Sequence, residues 1–533
     1  MSERFPQRAG SGVKRAGAVA AFGAPTIWAA AFGVAAFCAA IFGAVVFSAE
    51  PALAQVPSYA YRVETVPAPE GIAPEVTAVT FAPDGRLYAT FRRGYVYSMD
   101  PQSQQWRKFA SGLQTPLGIL AGKPGEFFVA HLPELTRVVD TDGDGLADLY
   151  ETVTDQWGMS GNYHEFAYGP VQDAAGNLYM SLGCASNGAL PRFPVRGEYT
   201  ARGKESSHPE AGLVNKVGHY SPVEYRGCVL RISPQGEVTP VSCGLRQPNG
   251  LGFSPAGDLF VTDNQGDWVG TSPLHHVTPG AFHGHPSSLN WDQEFQGDPV
   301  EAPIAGLARR RKMPAIQFPQ NDMGGSVAQP LFDNTGGRFG PYQGQVFVAE
   351  WTYPRILRAD LEKVGGEYQG AAFLFVEGNG LQTGNNRIAF SPDGKSLYTA
   401  QTSRIWGAAE GLQRIVWTGR VPMDILKMRL TKTGFELTFT KPVDRAAAAD
   451  PAAYSFTHYY YLYHGQYGSP KTDVTSVQVR KVMISEDGLR TTLELGPLVP
   501  GRVYELQPSG IQAADGEPLA TRIAAYTLNR LLE

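Results

Sequence analysis

A short motif recurs six times along this chain, and no other feature restricts the possible fold as strongly. Each copy has an apolar pair, a turn rich in Pro, Asp and Gly, and a short strand that carries an aromatic residue. The clear copies span residues 79–91, 166–183, 251–264 and 388–402, and weaker copies span 117–132 and 339–351. Such strand–turn–strand units bury their apolar faces by packing against neighbouring copies. The repeat therefore predicts an all-β fold, a six-bladed β-propeller.

The composition agrees with this fold class. The chain has 61 Gly and 40 Pro, and only 18% of its residues are charged, which is typical of turn-rich β-proteins. We expect the early strand at 61–66 to complete the ring beside the last strands, near 413–418. An eight-stranded sandwich is the competing fold, but it does not account for six near-equal units.

The repeat stops after Val421, and residues 422–533 continue with alternating strands that lack the blade motif. This pattern predicts a small C-terminal immunoglobulin-like β-sandwich at 422–533, following a propeller at 55–421. The tyrosine-rich tract at 454–469 is interpreted either as a strand with one row of rings buried or as a binding surface.

The first 54 residues have the pattern of a signal peptide. Four basic residues precede a long apolar stretch, and small residues mark a cleavage site near Ala54. The mature chain is thus expected to be periplasmic or secreted. The apolar stretch is also long enough to span a bilayer, so an uncleaved N-terminal membrane anchor is the alternative.

Charge and cysteine content restrict the partners and the compartment. The formal net charge is −5, and it becomes −7 without the leader, whose four basic residues outnumber its two acidic ones. A nucleic-acid partner is excluded because it requires a basic surface. Cys228 and Cys243 stand at the open end of a predicted hairpin, so an oxidising compartment favours a disulfide between them. Two buried thiols are the alternative, and Cys184 is expected to be unpaired.

Residues 140–151, DTDGDGLADLYE, match the twelve-position calcium-loop pattern at every specified place. The expected ligands are the side chains of Asp140, Asp142, Asp144, Asp148 and Glu151 and the carbonyl of Leu146. The flanking segments are typical of strand and loop rather than of paired helices. We therefore predict a structural calcium ion and not a calcium switch, with an acidic surface turn as the alternative.

Two groups of polar residues lie next to the repeat strands and are candidates for chemistry. His164 stands at the head of a strand, where its imidazole could take a proton from a substrate hydroxyl. The other group has Arg246, Gln247 and Asn249 before one strand and Asp263, Asn264 and Asp267 after the next. An arginine there can hold a carboxylate. The alternatives are a structural histidine and Asn/Asp side chains that cap turns.

The segments DTDGDG, LRQPNG, DNQGDW and GHP, within roughly residues 60–418, resemble the soluble quinoprotein glucose and sorbosone dehydrogenase family. The resemblance implies a six-bladed propeller that uses pyrroloquinoline quinone (PQQ) and calcium. It implies that His164 and Arg246 are catalytic, with His164 as the general base. The cofactor-binding residues that it implies are Arg246, Gln247, Asn249 and Arg387, and the backbone near Gly266 and Asp267 would meet the cofactor calcium. Positions where the family carries further cations hold Thr352, Gly384 and Asn386.

The first functional hypothesis is a periplasmic PQQ- and calcium-dependent dehydrogenase that oxidises a sugar or related alcohol. Its electrons would pass to an external acceptor, and any haem would belong to another protein because the chain has no CxxCH motif. One alternative is a calcium-dependent lactonase with Asn249 and Asp263 as metal ligands. Another is a non-catalytic propeller that binds glycans or protein.

Overall fold

The computed structural model describes residues 57–186, 191–192, 194–203, 218–403 and 408–533, so the predicted signal peptide lies outside the described residues. The described residues form one compact unit. In this part of the chain, none of the helices has the length and apolar character needed to cross a membrane. Nearly all regular structure is β, as predicted. The helices are short, and they are the α-helices Ile304–Arg310 and Arg445–Ala449 and the 3₁₀ turns Pro286–Trp291 and Pro451–Ala453.

The repeat region contributes four strands to each of six successive antiparallel sheets. Its strands are β1 (Tyr61–Val66); β2–β5 (Val76–Phe81, Leu87–Phe91, Tyr95–Met99, Trp106–Ala110); β6–β9 (Gly118–Ala121, Glu126–Ala130, Leu135–Val139, Leu149–Thr154); β10–β15 (Ala167–Gln172, Leu178–Leu182, Ala185–Ser186, His219–Tyr220, Cys228–Ile232, Val238–Cys243); β16–β19 (Leu251–Phe253, Leu259–Thr262, Pro273–His276, Ile316–Gln317); β20–β23 (Val327–Phe332, Val346–Glu350, Arg355–Val364, Glu367–Glu377); and β24–β26 (Asn385–Phe390, Ser396–Gln401, Gly411–Trp417). In the third sheet the pair β12–β13 stands apart from the four main strands.

The first strands of the six sheets pack against one another in cyclic order. β2 contacts β6, β6 contacts β10, and the series continues through β16, β20 and β24 back to β2. The ring closes where β1 pairs antiparallel with β26, from Tyr61 opposite Trp417 to Val66 opposite Leu412. This confirms the role predicted for the early strand.

The turn in the repeat has a local physical cause. In the first copy Gly85 has φ +81°, which a glycine adopts without strain, and its N–H donates to the carbonyl of Ala82 at 2.9 Å. The carboxylate of Asp84 accepts from the N–H of Arg86 at 2.9 Å. The last copy repeats this chemistry with Gly394 at φ +71°. Each Pro/Asp/Gly segment is therefore a tight link between the first and second strands of a sheet.

The C-terminal strands form two groups. They are β27–β34 (Ile425–Leu430, Gly434–Phe439, Tyr454–Tyr460, Thr472–Val477, Lys481–Ile484, Arg490–Glu494, Arg502–Pro508, Ala524–Leu528). β27, β28, β32 and β31 make a separate sheet, whereas β34, β33, β29 and β30 extend the fifth sheet of the repeat region through the pairing of β34 with β23. The two groups enclose a common core that includes Phe435, Leu493 and Tyr526. The C-terminal part thus shares a continuous sheet with the repeat region.

The cysteine prediction is confirmed. Cys228 and Cys243 lie opposite each other on β14 and β15 and form a disulfide. Cys184 is the free cysteine of the described residues, and it is buried.

Candidate functional site

A cavity of 490 Å³ lies where the ends of the repeat strands meet. All six sheets of the repeat region contribute, because the start of each first strand and the end of each second strand lie at the same edge of an antiparallel hairpin. The lining residues are Arg92, Thr115, Leu117, Tyr163, His164, Phe166, Tyr168, Ser186, His219, Arg246, Gln247, Asn249, Asn264, Gln265, Gly325, Ser326, Trp351, Asn386, Thr402 and Tyr467. The cavity thereby brings together His164, Arg246, Gln247 and Asn249 from the sequence prediction.

The backbone and the ring of His164 are both held in place. Its N–H donates to Oδ1 of Asn162 at 3.0 Å, and its carbonyl accepts from Nε2 of Gln247 at 3.1 Å. The imidazole lies between two rings, with centroid distances of 4.2 Å to Tyr163 and 5.2 Å to His219. Nδ1 is buried, and the residue as a whole lines the cavity.

The buried carboxylate of Asp267 binds three basic side chains, those of Arg246, His219 and His285. Oδ1 of Asp267 accepts from Nε of Arg246 at 2.8 Å and pairs with Nδ1 of His219 at 3.2 Å. Oδ2 accepts from the N–H of His219 at 2.7 Å and pairs with Nε2 of His285 at 3.1 Å. Both oxygens of Asp267 are therefore engaged.

The charge state of this network follows from burial and pairing. Burial alone would raise the pKa of Asp267, but the bonds from His219 and His285 and the charge of Arg246 hold that pKa well below its usual value. Burial and the charge of Arg246 lower the pKa of His219 to about 4, against the opposing effect of Asp267. His219 is therefore neutral at pH 7, while Asp267 and Arg246 form an ion pair.

Gln247 and Asn249 line the cavity but also have structural contacts. Nε2 of Gln247 donates to the carbonyls of His164 and Cys184, the latter at 2.6 Å. Nδ2 of Asn249 donates to Oδ1 of Asn386 at 3.1 Å. These amides therefore position the strands around the cavity as well as presenting polar atoms to it.

Arg387 lies beneath the cavity and is not on its lining. Its guanidinium donates to neutral oxygens, including the carbonyl of Leu117 at 3.0 Å and Oδ1 of Asn249 at 2.9 Å. It also lines a small void of 30 Å³ to which the first strands of all six sheets contribute. Among the described residues Arg387 has no carboxylate partner, and its Nη2 has no hydrogen-bond acceptor. Burial lowers its pKa to about 10, so Arg387 remains a positive charge below the cavity.

The predicted cofactor-calcium position near Gly266 and Asp267 is already filled by protein contacts. The carbonyl of Gly266 accepts from the N–H groups of Val269 at 3.1 Å and Gly468 at 2.9 Å. A Cβ at Gly266 would lie 1.9 Å from Nε of Arg246, so glycine is required for their close approach. With the oxygens of Asp267 engaged as well, the residues present do not fit a calcium ion at this position.

The metal pair of the lactonase hypothesis is engaged in a similar way. Oδ1 of Asp263 accepts from the N–H of Gln247 at 2.7 Å, and its Oδ2 accepts from the N–H of Arg246 at 2.8 Å. Oδ1 of Asn249 accepts from Arg387. Asp263 is therefore a structural carboxylate that shapes the loop before β16, and the hypothesis that it binds calcium stays a prediction without support from these contacts.

The calcium loop of residues 140–151 lies far along the sheet from the cavity, between β8 and β9. One oxygen each of Asp140, Asp142 and Asp144 can lie within 4.8 Å of the others, as a shared cation requires. Asp148 instead accepts from the N–H and hydroxyl of Thr141 at 2.9 and 2.6 Å. Glu151 is on β9 and pairs with Arg137 across the sheet. The structure brings the three aspartates together but not these two carboxylates, while Leu146 stays exposed with its N–H bonded to Asp144.

Several cavity residues were not identified from the sequence. Tyr467 comes from the C-terminal part, and its ring lies 5.2 Å from the guanidinium of Arg246. The aromatic tract at 454–469 was the available signal for it. His219 and Trp351 carry no local motif that marks them.

The chain matches no protein-family model and no curated protein. Similar solved structures include a protein of Thermus thermophilus assigned as a glucose dehydrogenase, at 19% identity, with 67% of this chain and 100% of that chain covered and a TM-score of 0.45. The PQQ-bound aldose sugar dehydrogenase of Streptomyces coelicolor is 16% identical, with 68% and 99% covered and a TM-score of 0.44. The PQQ domain of pyranose dehydrogenase from Coprinopsis cinerea is 12% identical, with 67% and 95% covered and a TM-score of 0.46.

These three similar proteins are sugar dehydrogenases by description. At these values the similarity transfers no residue role to this chain.

Proposed function

We propose that this protein is an exported PQQ-dependent dehydrogenase that oxidises a sugar or related alcohol in the 490 Å³ cavity. Its six sheets would be the blades of a propeller, and residues 422–533 an immunoglobulin-like sandwich joined to one blade. The observation that carries the proposal is the imidazole of His164, which lines the cavity and packs against the rings of Tyr163 and His219.

The residues that line the cavity fit PQQ, which is a planar aromatic tricarboxylate. Aromatic side chains make up much of the lining, among them Phe166, Tyr168 and Trp351. Arg246 uses only Nε for Asp267, which leaves the terminal nitrogens of its guanidinium for a carboxylate. The unpaired charge of Arg387 below the cavity floor adds a favourable field for an anion. Calcium is part of this proposal only at the loop of residues 140–151.

PQQ, when bound, supplies a quinone that accepts a hydride from the carbon of the alcohol. The chain itself provides the proton acceptor, because Nε2 of His164 can take the proton of the same hydroxyl group. Neutral His219 stacks on this ring without a charge that would oppose its protonation. The product is a carbonyl compound or lactone, and an external acceptor reoxidises the cofactor.

The test is reconstitution of the mature chain with PQQ, followed by dye reduction with a panel of aldoses and alcohols. His164→Gln should lower kcat by about 10²–10⁴-fold, the usual contribution of a general base. PQQ binding, followed by its absorbance, should be unchanged in this variant. Tyr150→Phe, on the remote β9, is the matched control. If the protein does not bind PQQ at micromolar concentration, the proposal is wrong.

The experiment also separates the other two hypotheses. Saccharide binding without turnover would identify a glycan-binding propeller. Lactone hydrolysis that requires calcium and is lost in Asn249→Ala would identify the hydrolase.

A further inference from the structure

A second cavity adjoins the first and belongs to neither the repeat region nor the C-terminal part alone. It has a volume of 370 Å³, and its lining residues are Gln265, Gln320, Asn321, Tyr461, Gln466, Tyr467, Gly468, Ser469, Pro470 and Lys471. Gln265 and Tyr467 line both cavities, so these two side chains form the wall between them. A ligand that passes this wall would occupy both cavities.

The lining of the second cavity is polar, and the cation on it is paired with carboxylates. Amide, hydroxyl and aromatic groups predominate, and Lys471 is the one charged residue that lines it within the described chain. Nζ of Lys471 lies 2.7 Å from carboxylate oxygens of both Asp322 and Glu505, so its positive charge is already paired within the protein. This chemistry favours a neutral ligand rich in hydroxyl groups, since amides both donate and accept hydrogen bonds.

Backbone hydrogen bonds hold the part of this wall that comes from the C-terminal residues. The N–H of Gly468 donates to the carbonyl of Gly266 at 2.9 Å, and the N–H of Ser469 donates to the carbonyl of Gly270 at 2.9 Å. The carbonyl of His464 accepts from the N–H of Trp268 at 3.1 Å. The tract that holds Tyr467 is thus bonded directly to the loop after β17, and it leaves the Tyr467 side chain 61% exposed.

We propose that the second cavity is a subsite for a further unit of a neutral oligosaccharide whose reacting unit occupies the first cavity. This inference rests on the proposed function and specifies its substrate class. The exposed ring of Tyr467 would offer its apolar face to the sugar between the two cavities. The amides of Gln265, Gln320 and Gln466 would bond hydroxyl groups on the far side.

The test compares glucose with cellobiose, cellotriose, maltose, maltotriose and laminaritriose, by calorimetric binding to the full mature chain and by dye reduction with PQQ. At least one trisaccharide should bind about tenfold or more tightly than glucose, the effect of one or two added hydrogen bonds. Gln466→Ala should remove much of this difference and leave glucose unaffected, because Gln466 lines only the second cavity. Leu462→Ala, on the same tract but outside both cavities, is the matched control.

The outcomes separate this inference from the proposed function. Trisaccharides that bind more tightly than glucose but are not oxidised would support the subsite and contradict the dehydrogenase. Oxidation of glucose with no gain for any longer saccharide would overturn the subsite and leave the dehydrogenase standing. No binding of any saccharide would overturn both.

Discussion

Nε of Arg246 donates to Oδ1 of Asp267 at 2.8 Å, and both side chains are almost fully buried. From sequence, the arginine was expected to hold a cofactor carboxylate and the aspartate to lie near a metal. In the structure they bind each other, and His219 and His285 complete the shell of the carboxylate.

Asp267→Asn should therefore destabilise the protein strongly. The substitution keeps the shape of the side chain but leaves the buried guanidinium without its counter-charge, which typically costs about 3–5 kcal/mol. Urea denaturation measures the change, with Asp84→Asn in the exposed first turn as the control. An Asp267→Asn protein as stable as the parent would show that this ion pair does not hold the site together.

The shared sheet predicts that the C-terminal part cannot be removed. Arg358 on β22 and Asp424 are both fully buried and pair at 2.8 Å, and β34 covers the edge of β23. A chain ending at Val421 would expose that edge and an unpaired arginine, so we expect aggregation. Size-exclusion chromatography of the truncated chain tests this. A soluble monomer with an unchanged melting temperature would indicate two independent domains.

Two buried histidines predict a loss of stability in acid. Burial lowers the pKa of His283 to about 3 and that of His275 well below its ordinary value. Both are neutral in the folded state, whereas the unfolded chain takes up protons near pH 6.5. Their contribution is thus complete above pH 6.5 and is lost as the pH falls toward 3. At pH 5 His283 alone should cost about 2 kcal/mol of unfolding free energy, and His275 adds to the loss in the same direction.

Urea denaturation between pH 7.5 and pH 5 measures this loss. His283→Gln should show a smaller pH dependence than the parent protein. An equal slope in the two proteins would contradict the assignment.

The disulfide should contribute measurably to stability. Cys228 and Cys243 are separated by 15 positions, and closing a loop of that size stabilises the folded state by about 3 kcal/mol. A Cys228→Ser/Cys243→Ser double variant should lose about this amount in chemical denaturation and become insensitive to dithiothreitol. Cys184→Ser should retain the sensitivity of the parent. A parent protein whose stability does not respond to reductant would refute the prediction.

The loop of residues 140–151 should bind calcium as a structural ion. Calcium at about 100 times its Kd should stabilise the parent by about 3 kcal/mol, and chelation should reverse the effect. Asp142→Ala should abolish the calcium response and leave turnover unchanged, because the loop is remote from the cavity. Glu151→Gln should weaken it little, since Glu151 pairs with Arg137. An Asp142→Ala protein that keeps its melting temperature but loses activity would overturn the structural role.

The features that sequence predicted correctly depend on residues close together in the chain. The turn at Gly85, the alternation around it and the hairpin that joins Cys228 to Cys243 are local and leave a direct pattern. The fifth repeat was located least well, because its motif at 339–351 covers β21 while the preceding strand β20 lies earlier, at Val327–Phe332. Trp351 and Thr402 were not predicted as cavity residues, because a single residue at the end of a strand produces no periodic pattern in the sequence.

By itself the sequence determined the all-β class, the closure of the ring by residues 61–66, the disulfide and the strand ends where His164, Arg246, Gln247 and Asn249 gather. Repeats and turns encode these features in short segments, since strand–turn–strand units form from neighbouring residues. Only the tertiary structure decided that Asp267 binds Arg246, that Arg387 lies below the cavity, and that Tyr467 joins its wall. These contacts join residues that lie in different sheets or far apart in the chain. They are stabilised by burial and charge pairing, and both arise only when the sheets pack together.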